Sequence, residues 1–155
     1  MIYHYLDASA WVKRYSQEIG TVWIQNFFAQ NPTIVCATLG LVEVTATFSR
    51  KHRGRQITAD QLDEIRQHTQ TDWVNFIQIQ LAETVMQEAT RLTSKLALRG
   101  ADAIHLAAAT TFQNRIDPAD SLVFITADQE LKTATQMIGM SVIDPEAEDR
   151  RMISP

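Results

Sequence analysis

The chain has 155 residues, 45% of them hydrophobic and 21% charged, with a formal net charge of −4. That length suits one domain with a proper core, and the acidic balance argues against a generic electrostatic binder of nucleic acid. The single cysteine, Cys36, rules out an intramolecular disulfide and reads as a small buried hydrophobe. No stretch reaches the roughly 18 apolar residues of a membrane span, and no leader pattern is visible, so a cytoplasmic protein is expected.

Residues 2–11 read IYHYLDASAW: an apolar run, a carboxylate at Asp7, then small residues opening a helix. An α/β domain delivers an acid to the C-terminal end of a strand in this way, where ligand sites in open parallel sheets lie. Asp7 equally suits the N-cap of that helix. The helix is expected to continue through Tyr15 to Gly20, a terminator. Thr21 then caps a second helix with the i,i+4 pairs Trp23/Phe27 and Ile24/Phe28, broken at Asn31-Pro32. Thr33 to Ala37 reads as strand two. Leu39 to Lys51 reads as a helix followed by the basic turn Lys51-His52-Arg53-Gly54-Arg55, and Thr58 begins another.

Phe76 to Gln80 alternates as strand three. Leu81, Val85, Ala89, Leu92 and Leu96 follow one face of a long helix, and a second helical run extends from near Ala101 to about Phe112. Leu122 to Thr126 is the clearest buried strand, Leu131 to Ile138 a helix ended by Gly139, and Ser141 to Ile143 a short last strand. Residues 1–146 make a single domain, and 147–155 read as a short solvated C-terminal tail. Strands alternating with helices, without hairpin signals, predict an α/β protein with a parallel sheet covered on both faces.

Three further acids stand where a core or a helix start is expected. Glu43 lies in LGLVEVTATF among apolar and small residues. A carboxylate buried there needs a cation, a hydrogen-bond network or water; alternatively it shares a polar stripe with Thr47 and Arg50. Asp102 opens the alanine-rich GADAIHLAAAT, as a first-turn acid favoured by the helix dipole or as an acid aimed at the strand edge. His105, one turn on, is either support for Asp102 or a satisfied core histidine. Asp128 falls in Thr126-Ala127-Asp128-Gln129, which matches a capping box with Thr126 as N-cap. Carboxylates meeting at one edge repel and call for a cation, and hard oxygen donors suit Mg²⁺ or Mn²⁺ rather than zinc. Arg50, Lys51, Arg53 and Arg55, with Lys13 and Arg14 near Asp7, offer a positive track for phosphates, or a solvated helix corner.

In order, YLDASAWVKRY (5–15), LVEV (41–44), LRGADAIHLAAA (98–109) and FITADQEL (124–131), with GMSVIDP closing, resemble the PIN domains and, within them, the VapC-like toxins of bacterial toxin–antitoxin pairs. The resemblance implies a three-layer α/β/α fold on a five-stranded parallel sheet of order 3-2-1-4-5. It implies a ribonuclease whose acidic Mg²⁺/Mn²⁺ site is made by Asp7, Glu43, Asp102 and Asp128, with the hydroxyls of Ser9 and Thr126 in support. A small antitoxin covering the site and a homodimer are implied as partners. A non-catalytic PIN-like module that binds RNA or protein is the alternative. A phosphoaspartate enzyme would want a second Asp where Ser9 stands, and five scattered glycines do not make a nucleotide-binding loop.

Overall fold

The protein is described by a computed structural model covering residues 1–153. Strands β1 (Ile2–Leu6), β2 (Thr33–Ala37), β3 (Ile77–Ile79), β4 (Ser121–Ile125) and β5 (Ser141–Ile143) form an all-parallel sheet of order β3-β2-β1-β4-β5. The strands alternate between the two faces, as a sheet covered on both sides requires. Tyr5, Val35, Ala37, Leu122 and Phe124 pack towards α5 (Glu83–Thr93), α6 (Gly100–Gln113) and α7 (Gln129–Met137). Leu6, Ile34, Cys36 and Ile125 pack the other way, against α1 (Ala8–Trp11), α2 (Thr21–Ala29), α3 (Thr38–Arg53) and α4 (Ala59–Asn75). Ala103 and Ala107 to Ala109 are fully buried, and their small side chains let α6 lie close on the sheet. The three-layer α/β/α architecture and strand order are those expected.

Several boundaries differ, each for a local reason. The helix after Asp7 stops early: α1 passes into a 3-10 turn at Val12–Arg14 and ends at Tyr15. Side chains take up the following backbone instead, with Thr21 Oγ1 donating to Ser16 O at 3.0 Å and Lys13 Nζ to Ile19 O at 2.9 Å. Gly20, at φ +96°, therefore starts α2 rather than ending α1. Thr21 ties this turn rather than capping the helix. β4 ends one residue earlier than expected, which frees Thr126.

The expected solvated tail is the largest correction. Residues 145–153 form α8 (Pro145–Ile153), which packs on α2. Its Asp149, 4% exposed, accepts from the backbone N–H of Gly20 and of Trp23, both at 2.6 Å. An acid from the far end of the chain thus caps α2 and meets its positive end. Residues 154–155 of that tail lie outside the described residues. Among the described residues no helix is long and apolar enough to cross a membrane.

Candidate active site

Asp7 follows β1 directly, and its N–H donates to Ile125 O at 3.2 Å, placing it beside the end of β4. Its two readings hold together. Oδ1 accepts from Ala10 N at 3.0 Å, capping α1, while the carboxylate also gathers neutral donors. Ser9 Oγ lies 2.8 and 2.9 Å from the two oxygens, and the fully buried Thr126 Oγ1 donates to Oδ2 at 2.8 Å. Ser9 Oγ in turn accepts from Ala127 N at 2.9 Å, and Thr126 Oγ1 from Asp128 N at 3.1 Å. The loops after β1 and β4 are stitched together through one carboxylate. Burial pushes the Asp7 pKa up to about 6, against the opposing pull of His105 and of hydrogen bonds from Ala10, Thr126 and Ser9.

The other acids come to the same edge from separate elements. Asp102, half-buried in the first turn of α6, has its pKa raised by burial and then by the charge of Asp128; His105 and Arg99 oppose this and Glu43 adds to it. Asp128 is itself the N-cap of α7, accepting from Leu131 N at 2.8 Å. That corrects the expected capping box: Thr126 is turned towards Asp7, and Gln129 Nε2 donates to Asp144 Oδ2 at 3.0 Å. Glu43, in the second turn of α3, is partly exposed and reaches His105. His105 Nε2 lies 2.5 Å from Glu43 Oε2, and its Nδ1 2.9 Å from the Tyr5 hydroxyl. The histidine therefore serves Glu43 rather than Asp102. A polar ring on an otherwise alanine-buried face was the signal for a partner, but the partner's identity depends on α3 packing against α6.

The basic residues divide. Lys13 is 5% exposed, with Nζ on Glu146 at 2.8 Å and on the Ile19 carbonyl, so it is turned inward and cannot meet a phosphate as expected. Arg14 pairs with Asp72 through Nε at 2.5 Å and Nη2 at 3.1 Å and stacks 3.8 Å over Phe28, which corrects its place on the track too. Arg50 stands closest to expectation. A shallow groove of about 340 Å³ runs from Ala8 and Ser9 past Glu43 and Thr47 to Arg50. Lys51 lies 3.3 Å from Ser16 Oγ and lines a separate cavity of about 450 Å³ that touches none of the four acids. Arg53 and Arg55 are exposed.

The donor set is carboxylate oxygen, the kind that suits a hard divalent cation. Among the described residues, no three His, Cys, Asp or Glu side chains close into a ligating group. Asp102 feels the charges of Asp128 and Glu43 without touching either.

No sequence-family profile matches the chain. It is 31% identical over 138 residues to "Ribonuclease VapC45" of Mycobacterium tuberculosis (strain CDC 1551 / Oshkosh), spanning 89% of this chain and 92% of that protein. Among solved structures, PAE2754 from Pyrobaculum aerophilum superposes with a TM-score of 0.67 at 17% identity, over 97% of this chain and 89% of that one. The toxin–antitoxin complex from Klebsiella pneumoniae gives 0.63 at 18% identity, over 92% and 97%.

Proposed function

The chain belongs to the VapC ribonuclease family, and from that premise we propose that it is the toxin ribonuclease of a toxin–antitoxin pair, a divalent-metal-dependent endonuclease acting on RNA in the cytoplasm. The observation that supports the metal dependence is the arrival of Asp7, Glu43, Asp102 and Asp128 at one sheet edge, with burial raising the Asp7 pKa and burial together with the charges of Asp128 and Glu43 raising that of Asp102. Asp7, Glu43, Asp102 and Asp128 would hold Mg²⁺ or Mn²⁺. Such an ion, when bound, activates water and stabilises the charge building on a phosphodiester.

The chain's own residues supply the rest. Ser9 and Thr126 orient the Asp7 carboxylate through their hydroxyls and fix the loop after β4 on the loop after β1. Asp128 is mounted rigidly by its cap to Leu131 N. Arg50 lies along the groove that leads past Glu43 and offers a charge to a phosphate of the bound strand. A small antitoxin protein is the partner expected to occupy the acidic cleft, and a homodimer the expected assembly; light scattering of the chain alone and with its antitoxin reads both.

The decisive test is cleavage of single-stranded RNA by the purified chain with Mn²⁺, with excess EDTA, and as Asp128→Asn. Asparagine preserves the cap, so the variant keeps its fold and loses cleavage. EDTA abolishes cleavage and added Mn²⁺ restores it. Full activity in EDTA or in the variant would overturn the reading.

A further inference from the structure

The least explained polar group near the acids is a histidine that is not one of them. His105 lies on the buried face of α6, 2% exposed. A ring at that depth persists only with its nitrogens served, and both are, by Glu43 at 2.5 Å and Tyr5 at 2.9 Å. An ionised carboxylate can only accept, so Nε2 carries a proton and donates to Glu43, while Nδ1 and the Tyr5 hydroxyl share the second hydrogen bond. Tyr5 is itself fully buried on β1, two residues before Asp7, and stacks on Phe124 at 4.8 Å between centroids. Gly40 makes room for the arrangement. A Cβ there would stand 2.5 Å from Cys36 Sγ and 3.5 Å from His105 Cε1, so glycine lets the first turn of α3 settle beside the imidazole.

We propose that His105 is a positioning residue for the ribonuclease site: with Tyr5 it fixes the Glu43 carboxylate in register with Asp7. One Glu43 oxygen is held by the imidazole, and the other accepts no hydrogen bond among the described residues. Tyr5, His105 and Glu43 thereby link β1, which Asp7 directly follows, to α6, which carries Asp102 in its first turn, and to α3. Without the link, Glu43 is a partly exposed side chain free to rotate on the helix surface. The inference rests on the metal-dependent reading of the site.

The test compares the full chain with His105→Leu, His105→Gln and the double variant Tyr5→Phe/His105→Leu. Mn²⁺ titration calorimetry, kcat and KM on single-stranded RNA, and thermal melting are measured for each. Glutamine keeps an N–H near the Nε2 position. The double variant removes the hydroxyl that leucine alone would leave stranded, so it folds even where the single variant does not. Positioning predicts Mn²⁺ affinity weaker by roughly 10- to 100-fold in the leucine variants, a fall in kcat with KM for RNA held, and recovery in His105→Gln. Wild-type Mn²⁺ affinity and kcat in the folded double variant would overturn the inference, as would a His105→Gln variant no better than leucine. A wild-type chain that neither binds Mn²⁺ nor cleaves RNA would overturn the functional reading instead.

Discussion

Asp7 and Asp144 occupy matching places and are treated in opposite ways. Each follows a strand, β1 or β5, and each caps the helix after it, Asp7 on Ala10 N at 3.0 Å and Asp144 on Glu146 N at 2.9 Å. Both are buried. Around Asp144, burial is outweighed by Gln129 and by Lys132, whose Nζ lies 3.0 Å from Oδ2, and the carboxyl is held below its ordinary pKa. Around Asp7 the side-chain hydrogen bonds come from neutral hydroxyls, burial prevails, and the pKa rises to about 6. The strand–acid–helix pattern is therefore a fold device at both places. Among the described residues, the two differ in the lysine that pairs with Asp144 and has no counterpart at Asp7.

Exchanging carboxylate for amide should separate the two most widely. Asp7→Asn is expected to cut RNA cleavage by at least ~10³-fold while melting no lower than wild type at pH 7, because it removes a buried charge without an ion-pair partner. Asp144→Asn should do the reverse, losing roughly 1–3 kcal/mol of stability in urea melts with cleavage per folded molecule retained. Equal stability effects would dissolve the contrast.

The pH dependence has opposite signs for the two acids. Asp7 binds its proton more tightly folded than unfolded, so its contribution to stability, roughly 3 kcal/mol, is present below the unfolded pKa and is lost as pH rises through about 6. Asp144, with a lowered pKa, contributes above its unfolded value and loses that contribution as pH falls. Below about 6 a proton competes with the ion for Asp7, so the Mn²⁺ concentration needed for half-maximal cleavage should rise by up to about tenfold per pH unit. Initial rates and urea melts over the same pH series would show both.

Two smaller effects sharpen the picture. Lys132→Ala leaves Asp144 without its cation and should cost about 1 kcal/mol, read by melting, with the Asp144 pKa moving up by NMR titration. Arg50→Ala should raise KM for RNA a few-fold, hold kcat, and reduce the salt slope of binding by about one.

What the sequence made legible was whatever short-range pattern decides. β2 and β5 came out at their observed bounds because TIVCA and SVI are short β-rich runs with clear punctuation. Of the four acids only Glu43 breaks a local rule; Asp7, Asp102 and Asp128 each suit a helix start and stand out through the family resemblance of their segments. Lys13 was not legible: its neighbour Arg14 is also basic, and nothing nearby says that Glu146, 133 positions on, will draw it inward. α8 read as a charged tail because its one buried acid, Asp149, finds its partners on α2. His105 was visible as an anomaly but not as a ligand of Glu43, since that contact needs α3 and α6 already packed.

The bond from Thr126 to Asp7 spans 119 positions, and β1 lies at the centre of the sheet although it is the first strand of this chain to be synthesised. Until β4 emerges, one edge of β1 is unpaired and Asp7 lacks the hydroxyl that orients it. Long-range pairing of this kind is slow to form. A nascent chain short of Thr126 carries the acid but not the site, so the site comes into being only after β4 has been made and paired with β1.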